Sequence, residues 1–210
     1  MKQLDFERFS GRHFRGFTIL ELLIVVGILS LLAALLMPAM SSARKKGQQI
    51  HCMNNLRQIG MAHVQYANDW EERIVPGLEV TGGAYWEQLL EKQCGIRVGK
   101  MEGHLFWCPA NKETPLSAWM PKEFFCANMN YTRNSEIDRM LYGSIPDPTR
   151  TVMVADGKVA APYAVITTIF HASSATNRIH FSLHGGRANC LFVDGHVEGI
   201  ENLKDLIVKP

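Results

Sequence analysis

The stretch FTILELLIVVGILSLLAALLM, residues 17–37, decides how this chain is read. Its twenty-one residues hold one charge, Glu21, and no proline. As a helix rising 1.5 Å per residue it would be about 31 Å long, enough to cross a hydrocarbon core of about 30 Å. Whole-chain averages hide this. Over 210 residues the chain is 47% hydrophobic, with 22 Lys+Arg against 20 Asp+Glu, and its mean hydropathy is near zero. Such values fit one ordinary globular domain and argue against a disordered, collagenous or multi-domain chain. A formal net charge of +2 is a weak handle for a nucleic-acid binder that works through bulk positive charge, so no nucleic-acid partner is expected. The apolar run also argues against a purely cytosolic enzyme.

Residues 1–16, MKQLDFERFSGRHFRG, carry Lys2, Arg8, Arg12 and Arg15 against Asp5 and Glu7. The remainder has 18 basic and 18 acidic residues, so the whole formal net charge sits in this segment. A basic segment before an apolar run resembles a secretion signal, but a conventional signal peptide has an apolar region of about 7–15 residues ending at a small-residue cleavage site. This run is longer, although Ala39-Met40-Ser41 imitates such a site. A plain signal anchor explains the length and leaves Glu21 unexplained. A carboxylate in lipid costs on the order of 2.5–3.5 kcal/mol at the helix centre and less near an end, which suggests that Glu21 has a task.

Gly16-Phe17-Thr18-Ile19-Leu20-Glu21 followed by an unbroken apolar helix resembles the processing motif of type IV pilins and type II secretion pseudopilins. The resemblance implies cleavage between Gly16 and Phe17 by a membrane prepilin peptidase and N-methylation of Phe17. It also implies that Glu21, at the fifth mature position, pairs with the Phe17 amine of a neighbouring subunit during assembly. Pro38 matches a proline common in that family. The basic leader favours retention on the cytoplasmic side, although Arg44, Lys45 and Lys46 lie just past the far end. The resemblance therefore carries the expectation of a single-pass protein of the bacterial cytoplasmic membrane with an extracytoplasmic head.

Pro38 predicts a bend or local melting near residues 36–41. Beyond it, Ile50, Met53, Leu56, Ile59, His63 and Ala67 recur at helical spacing, so an amphipathic helix with one core face is expected, ending around residues 69–72. Gly47 and Gly60 weaken it by about 1 kcal/mol each relative to alanine. The expected organisation is a leader at 1–16, a transmembrane helix at 17–40, an amphipathic helix at 41–70 and a soluble head at 71–210. The fold class is α+β and pilin-like: one long N-terminal helix on a small antiparallel sheet. Between 71 and 150 the chain reads as loop-rich, with a candidate short helix at Tyr85-Trp86-Glu87-Gln88-Leu89-Leu90 and five prolines. Strands are expected at residues 151–155, at 165–170, and at 189–193 paired with 196–198 through a two-residue Asp194-Gly195 turn.

Residues 52–60, 66–69 and the element His184-x9-Asp194-Gly195 resemble a bacterial branch of the same family, whose members end in such a His-Asp-Gly signature. The physical reading of His184, Asp194 and Gly195 is structural: a hairpin in which His184 and Asp194 tie a loop to a turn. The expected number of metals and cofactors is none; were a metal bound there, His184, Asp194 and His196 would be its donors. Calcium wants more oxygens than this patch offers, and no Cys or His pair has finger spacing. Of the five cysteines, Cys94 and Cys108 flank glycine-containing sequence, and Phe106-Trp107-Cys108-Pro109 resembles a Cys-Pro element of the family. A Cys94–Cys108 disulfide is favoured, with Cys108–Cys126 or a Cys52 pairing as competitors, and an exported head permits any of them. Ser173, Ser174, His171, His180 and Asp156 lack a nucleophile elbow, so no enzyme is expected. The four tryptophans read as packing residues.

These readings converge on a structural prepilin-like subunit, assembled into a type II secretion pseudopilus or type IV pilus-like filament. Its expected partners are the prepilin peptidase/N-methyltransferase, other pilin-like subunits with their assembly machinery, and membrane lipid. The alternative is a membrane-anchored extracytoplasmic binding module for a polysaccharide or exported substrate.

Overall fold

The computed structural model of the chain describes residues 17–77, 85–95, 105–111, 131–158, 169–170, 173 and 175–210. The leader, Gly16, Cys126, Trp119, His171, Ser174 and most of the strand expected at 165–170 lie outside the described residues. By contacts the chain divides between Ala43 and Arg44 into two compact units.

One helix, α1 (Ile19–Asp69), occupies 51 residues. It starts where Thr18 can cap it: the Glu21 amide donates to Thr18 Oγ1 at 3.2 Å, while Glu21 Oε2 accepts from the Thr18 amide at 2.9 Å and from its hydroxyl at 2.8 Å. This reciprocal capping box satisfies amides that a helix start leaves without partners. The chain stays helical through Pro38, so no melting occurs there; transmembrane helices tolerate proline where neighbouring groups and small local adjustments re-satisfy the backbone carbonyl that it frees. After Asp69 the helix is turned off by Glu71 and Glu72, at φ 53° and 58°. The Glu72 amide reaches back to the Ala67 carbonyl at 2.8 Å, one of the bonds by which a left-handed residue closes a helix end.

Residues 17–43 form the first unit, and every one of them is exposed. Its polar groups are satisfied within the helix, as where Ser30 Oγ donates to the Val26 carbonyl at 2.8 Å. In the second unit, Arg44–Pro210, α1 buries Cys52, Asn55, Leu56, Ile59, Gly60, His63, Tyr66 and Ala67. The seam follows helical periodicity but is rotated from expectation, because Ile50 is exposed and Cys52 takes its place in the core.

That seam faces a five-stranded sheet in the order β3-β1-β2-β4-β5. The strands are β1 (Tyr131–Asn134), β2 (Val152–Asp156), β3 (Ile169–Phe170), β4 (Ala188–Phe192) and β5 (Val197–Ile200). All pairings are antiparallel except that of β1 with β3, which is parallel. Strand β1 falls where the sequence reads as loop, because Tyr-Thr-Arg-Asn has no apolar alternation; all four residues are buried. Both sheet faces are covered. Met153, Val154, Leu191 and Val193 join the α1 core, while Val152, Ala155, Ala188, Cys190 and Phe192 form a second cluster with Ile179 and Leu206. The register shift between Val152 and Val154 breaks the strand's alternation, so that the neighbours Met153 and Val154 both join the α1 core, as a bulge allows.

A second helix, α2 (Trp86–Cys94), is longer than expected and ends at Gly95 in the left-handed conformation. It brings Trp86 against His63 and edge-on to Phe106, with ring centroids 5.8 and 5.3 Å apart. The β4–β5 connection is wider than a two-residue turn. The Gly195 amide donates to the Phe192 carbonyl and the Phe192 amide to the His196 carbonyl, both at 3.0 Å, with Gly195 at φ 91°. This is the three-residue hairpin whose last position glycine serves best.

Candidate functional site

Two places hold the residues singled out by sequence. At the start of α1, Phe17 is 74% exposed, and the Glu21 carboxylate is occupied by Thr18 as described. Glu21 thus has a local role that Thr-x-x-Glu spacing advertises and the sequence reading passed over.

The second place is built around His184. Its amide bonds the Arg187 carbonyl at 3.0 Å, closing a tight loop over Gly185 and Gly186, at φ 70° and 93°. The buried ring sends Nε2 to within 3.3 Å of Asp156 Oδ2 and 3.4 Å of Cys108 Sγ. Asp156, fully buried at the end of β2, also accepts the Asn189 amide at 2.7 Å. Burial pushes the Asp156 carboxyl above its usual range, opposed by the hydrogen bond and charge of His184 and by the Asn189 amide.

Cys108 is bonded to Cys52 of α1, with Cα atoms 5.2 Å apart. The favoured Cys94–Cys108 pairing is therefore corrected: Cys94, at the end of α2, is a free thiol whose Sγ bonds the Ala62 carbonyl at 3.3 Å. The physical reason is that residues 105–111 lie along α1. The Asn55 amide nitrogen donates to the Trp107 carbonyl at 2.9 Å and Gln48 Nε2 to the Pro109 carbonyl at 3.2 Å. Together these hold Cys108 over Cys52.

Asp194 does not meet His184. The two stand at opposite ends of β4, and Asp194 Oδ1 instead accepts the His196 amide at 3.1 Å and lies 2.6 Å from His196 Nδ1. The His196 ring stacks on Phe192 at 4.2 Å. His184, Asp194 and His196 accordingly form no common donor set: His184 belongs to the core, and the other two to an exposed turn. Among the described residues the one cluster with metal-ligand spacing is Cys52, Cys108 and His184, whose donor atoms lie within 4.8 Å of one another. In a hydrolase reading Asp156 would serve His180, yet its carboxylate is turned to His184 and Asn189. Three tryptophans are described: Trp86 is core, Trp107 half-buried, and Trp70 is 47% exposed while stacked on Tyr66.

The sequence reading missed Asp156 as the partner of His184, and it held Cys52, the partner of Cys108, only as a competitor to Cys94. Asp156 and Cys52 are 28 and 56 positions away from those partners, and no local pattern connects them.

The family model described as prokaryotic N-terminal methylation motif matches residues 11–37. It does not reach the element at 184–195. No curated protein and no solved structure matches the chain. The apolar part of α1, whose hydropathy reaches 2.8, is long enough to cross a membrane. The chain thus carries a prepilin-type N-terminal methylation motif at the head of a long apolar helix, on a helix-on-sheet α+β fold similar to that of pilin-like proteins.

Proposed function

We propose that the protein is a precursor cleaved between Gly16 and Phe17 by a prepilin peptidase, N-methylated at Phe17, and assembled as a structural subunit of a pseudopilus or pilus-like filament. Its head, from about residue 41 onward, stands on the extracytoplasmic side of the cytoplasmic membrane. The observation that carries this reading is the methylation motif at residues 11–37 running into a helix whose residues 19–47 are all exposed. A stretch that apolar stays uncovered only where lipid or other helices cover it. Nothing lies within 4 Å of the position a Gly27 Cβ would take. With Ser30, Ala33 and Ala34 it offers a surface for close helix approach in a filament.

Cleavage would put a cationic amine on Phe17, four residues from Glu21. In the lone chain Glu21 serves Thr18; in a filament its charge would offset that of a neighbour's amine in a place where neither could be buried alone. Two substitutions separate the roles. Glu21→Gln keeps a side chain that a capping box accepts and removes the charge, whereas Glu21→Ala removes both. Assembly lost in both variants, at least about tenfold by sheared-filament or secretion yield, is the expected outcome. Wild-type assembly by Glu21→Gln would reduce Glu21 to a cap. Mass spectrometry of the membrane-extracted chain tests the processing step: the expected species begins at N-methyl-Phe17, and a start at Met1 or Ser42 overturns it.

A second reading, the membrane-anchored binding module, draws on a cleft of about 550 Å³ lined by Tyr66, Asp69, Trp70, Glu71, Arg73 and Arg139 among others. An open indole edged by carboxylates and guanidinium groups suits a polar, ring-bearing ligand such as a saccharide. Saccharide binding by a chain that never enters filaments would favour it over the first.

A further inference from the structure

Three side chains of metal-ligating type from separate parts of the head converge in the core, and a fourth, Asp156, meets one of them, His184. Cys52 comes from α1, Cys108 from the 105–111 segment, Asp156 from the end of β2 and His184 from the loop before β4. The sulfurs of Cys52 and Cys108 and a ring nitrogen of His184 lie within 4.8 Å of one another. His184 Nε2 faces two acceptors at once, Cys108 Sγ at 3.4 Å and Asp156 Oδ2 at 3.3 Å. A histidine acting as general base is instead oriented by a carboxylate on its opposite nitrogen. His184 thus turns Nε2 toward the paired sulfurs, with the Asp156 carboxylate alongside as a counter-charge. Asp156 Oδ1, moreover, is buried with no hydrogen-bond partner among the described residues.

The separations fit a particular cation. Zinc bonds of about 2.3 Å to sulfur and 2.0–2.1 Å to nitrogen, set at the tetrahedral angle, place sulfur about 3.6 Å from the nitrogen. The nitrogen-to-sulfur distance at Cys108 is 3.4 Å. Two sulfurs on one zinc stand about 3.8 Å apart, so a metal requires the disulfide to be open.

We propose that when Cys52 and Cys108 are dithiols this cluster is a zinc site, with Cys52 Sγ, Cys108 Sγ and His184 Nε2 as ligands, and that disulfide and metal are alternative occupants of one place. Binding exchanges protons only: each thiol gives up its proton, two zinc–sulfur bonds form, and no electrons move. Opening the disulfide takes two electrons and two protons from a thiol or phosphine reductant. A chain still in a reducing cytoplasm holds the dithiol without that step. Thiolate and imidazole donors select zinc over calcium or magnesium.

The test uses the full chain in detergent, stripped of metal, as two samples: disulfide-bonded, and reduced with a phosphine under argon. After dialysis against zinc chloride the reduced chain is expected to hold about one zinc and the disulfide form less than about a tenth of that. Cobalt(II) added to the reduced chain is expected to give the intense visible bands of a tetrahedral site with thiolate charge transfer. A Cys94→Ser/Cys126→Ser/Cys190→Ser variant should keep those bands, and His184→Ala, which removes a ligand, should weaken metal affinity by at least about tenfold. Equal zinc uptake by the reduced and disulfide forms of the wild type overturns the proposal. So do bands lost from the triple-serine variant while its near-ultraviolet circular dichroism stays native. The wild-type comparison needs no substitution, so it decides the matter even where a variant fails to fold.

Discussion

The two halves of α1 obey opposite rules. Between residues 17 and 43 apolar side chains point outward all round, and none is buried. Between residues 44 and 69 the apolar face is covered, and polar Asn55 and His63 are buried with it. Hydrophobicity therefore marks the outside of one half and the inside of the other, because the first half is matched to lipid and the second to a sheet. Burial in the second half also carries obligations that the first escapes. The Asn55 side chain must find the Trp107 carbonyl, and the Cys52 carbonyl accepts from the Tyr131 hydroxyl at 3.3 Å. Uncovering a helix that is lipid-facing disturbs nothing within the chain; uncovering one packed on a sheet undoes the head.

The largest effect that can be set against this contrast is loss of the disulfide. Cys52 and Cys108 are 56 residues apart, and closing a loop of that length stabilises by about 4 kcal/mol in the chain-entropy treatment. Cys52→Ala is expected to cost the head about that much in urea unfolding, whereas Cys94→Ala, a free thiol, should cost under about 1 kcal/mol. A comparable pair of truncations divides the helix itself. Leu56→Ala removes a fully buried side chain and is expected to lower head stability by about 3 kcal/mol, since buried leucines typically cost about 2–5. Leu29→Ala, at a position 59% exposed, should leave head unfolding within about 0.5 kcal/mol of wild type. A large Leu29 effect on the isolated chain would mean that the first half is packed against something within the molecule.

What could be read beforehand divides along the same line. The membrane half was legible because its signal is contiguous: twenty-one residues, one charge, and a motif of six residues at its start. The end of α1 near Asp69 was legible for the same reason, and so was a turn at Asp194-Gly195, though not its third residue. The rotated core seam was not, because Ile50 and Cys52 are both apolar and only the position of the 105–111 segment decides which faces inward. Strand β1 was illegible because burial there falls on polar residues, whose partners no apolar alternation announces. Arg133 pairs with Asp138, and Asn134 donates to the Val152 and Val208 carbonyls at 2.9 and 2.7 Å. His184 was noticed for its spacing to Asp194, yet its partners come from β2 and the 105–111 segment; spacing along one strand gave the two residues a relation that the strand keeps apart.

Acidification separates the halves by charge. His63 lies buried on α1 against Trp86, and neither ring nitrogen has a hydrogen-bond partner among the described residues. Burial first, and then the Arg133 charge, hold its pKa well below the usual 6.5. Since the folded-state value is depressed, the unfolded chain takes up a proton below pH 6.5 that the folded chain refuses. Stability is therefore flat in this group above pH 6.5 and falls as pH drops toward the folded-state value. Urea midpoints measured from pH 7 down to about 5 should decline in wild type, and His63→Leu should flatten that decline. An unchanged slope in the variant would assign the acid sensitivity to other groups.

The smallest effect is the most diagnostic, because it asks one substitution to change sign along one helix. At Gly47 nothing lies within 4 Å of an added Cβ, so Gly47→Ala should stabilise the head by about 0.5–1 kcal/mol through backbone entropy alone. At Gly60 the same methyl would come 3.0 Å from Leu191 Cδ1, in a core with little room to give. The entropic gain is then outweighed by an overpacking penalty of about 1–3 kcal/mol, and Gly60→Ala should destabilise by about 1 kcal/mol in net. Shortening the opposing side chain distinguishes a clash from a helix effect. In the Gly60→Ala/Leu191→Val double variant the two changes should compensate by at least about 0.5 kcal/mol relative to their sum, as residues in contact do. Strict additivity would mean that α1 and β4 do not meet at Gly60, and that the sheet covers this half of the helix along some other line.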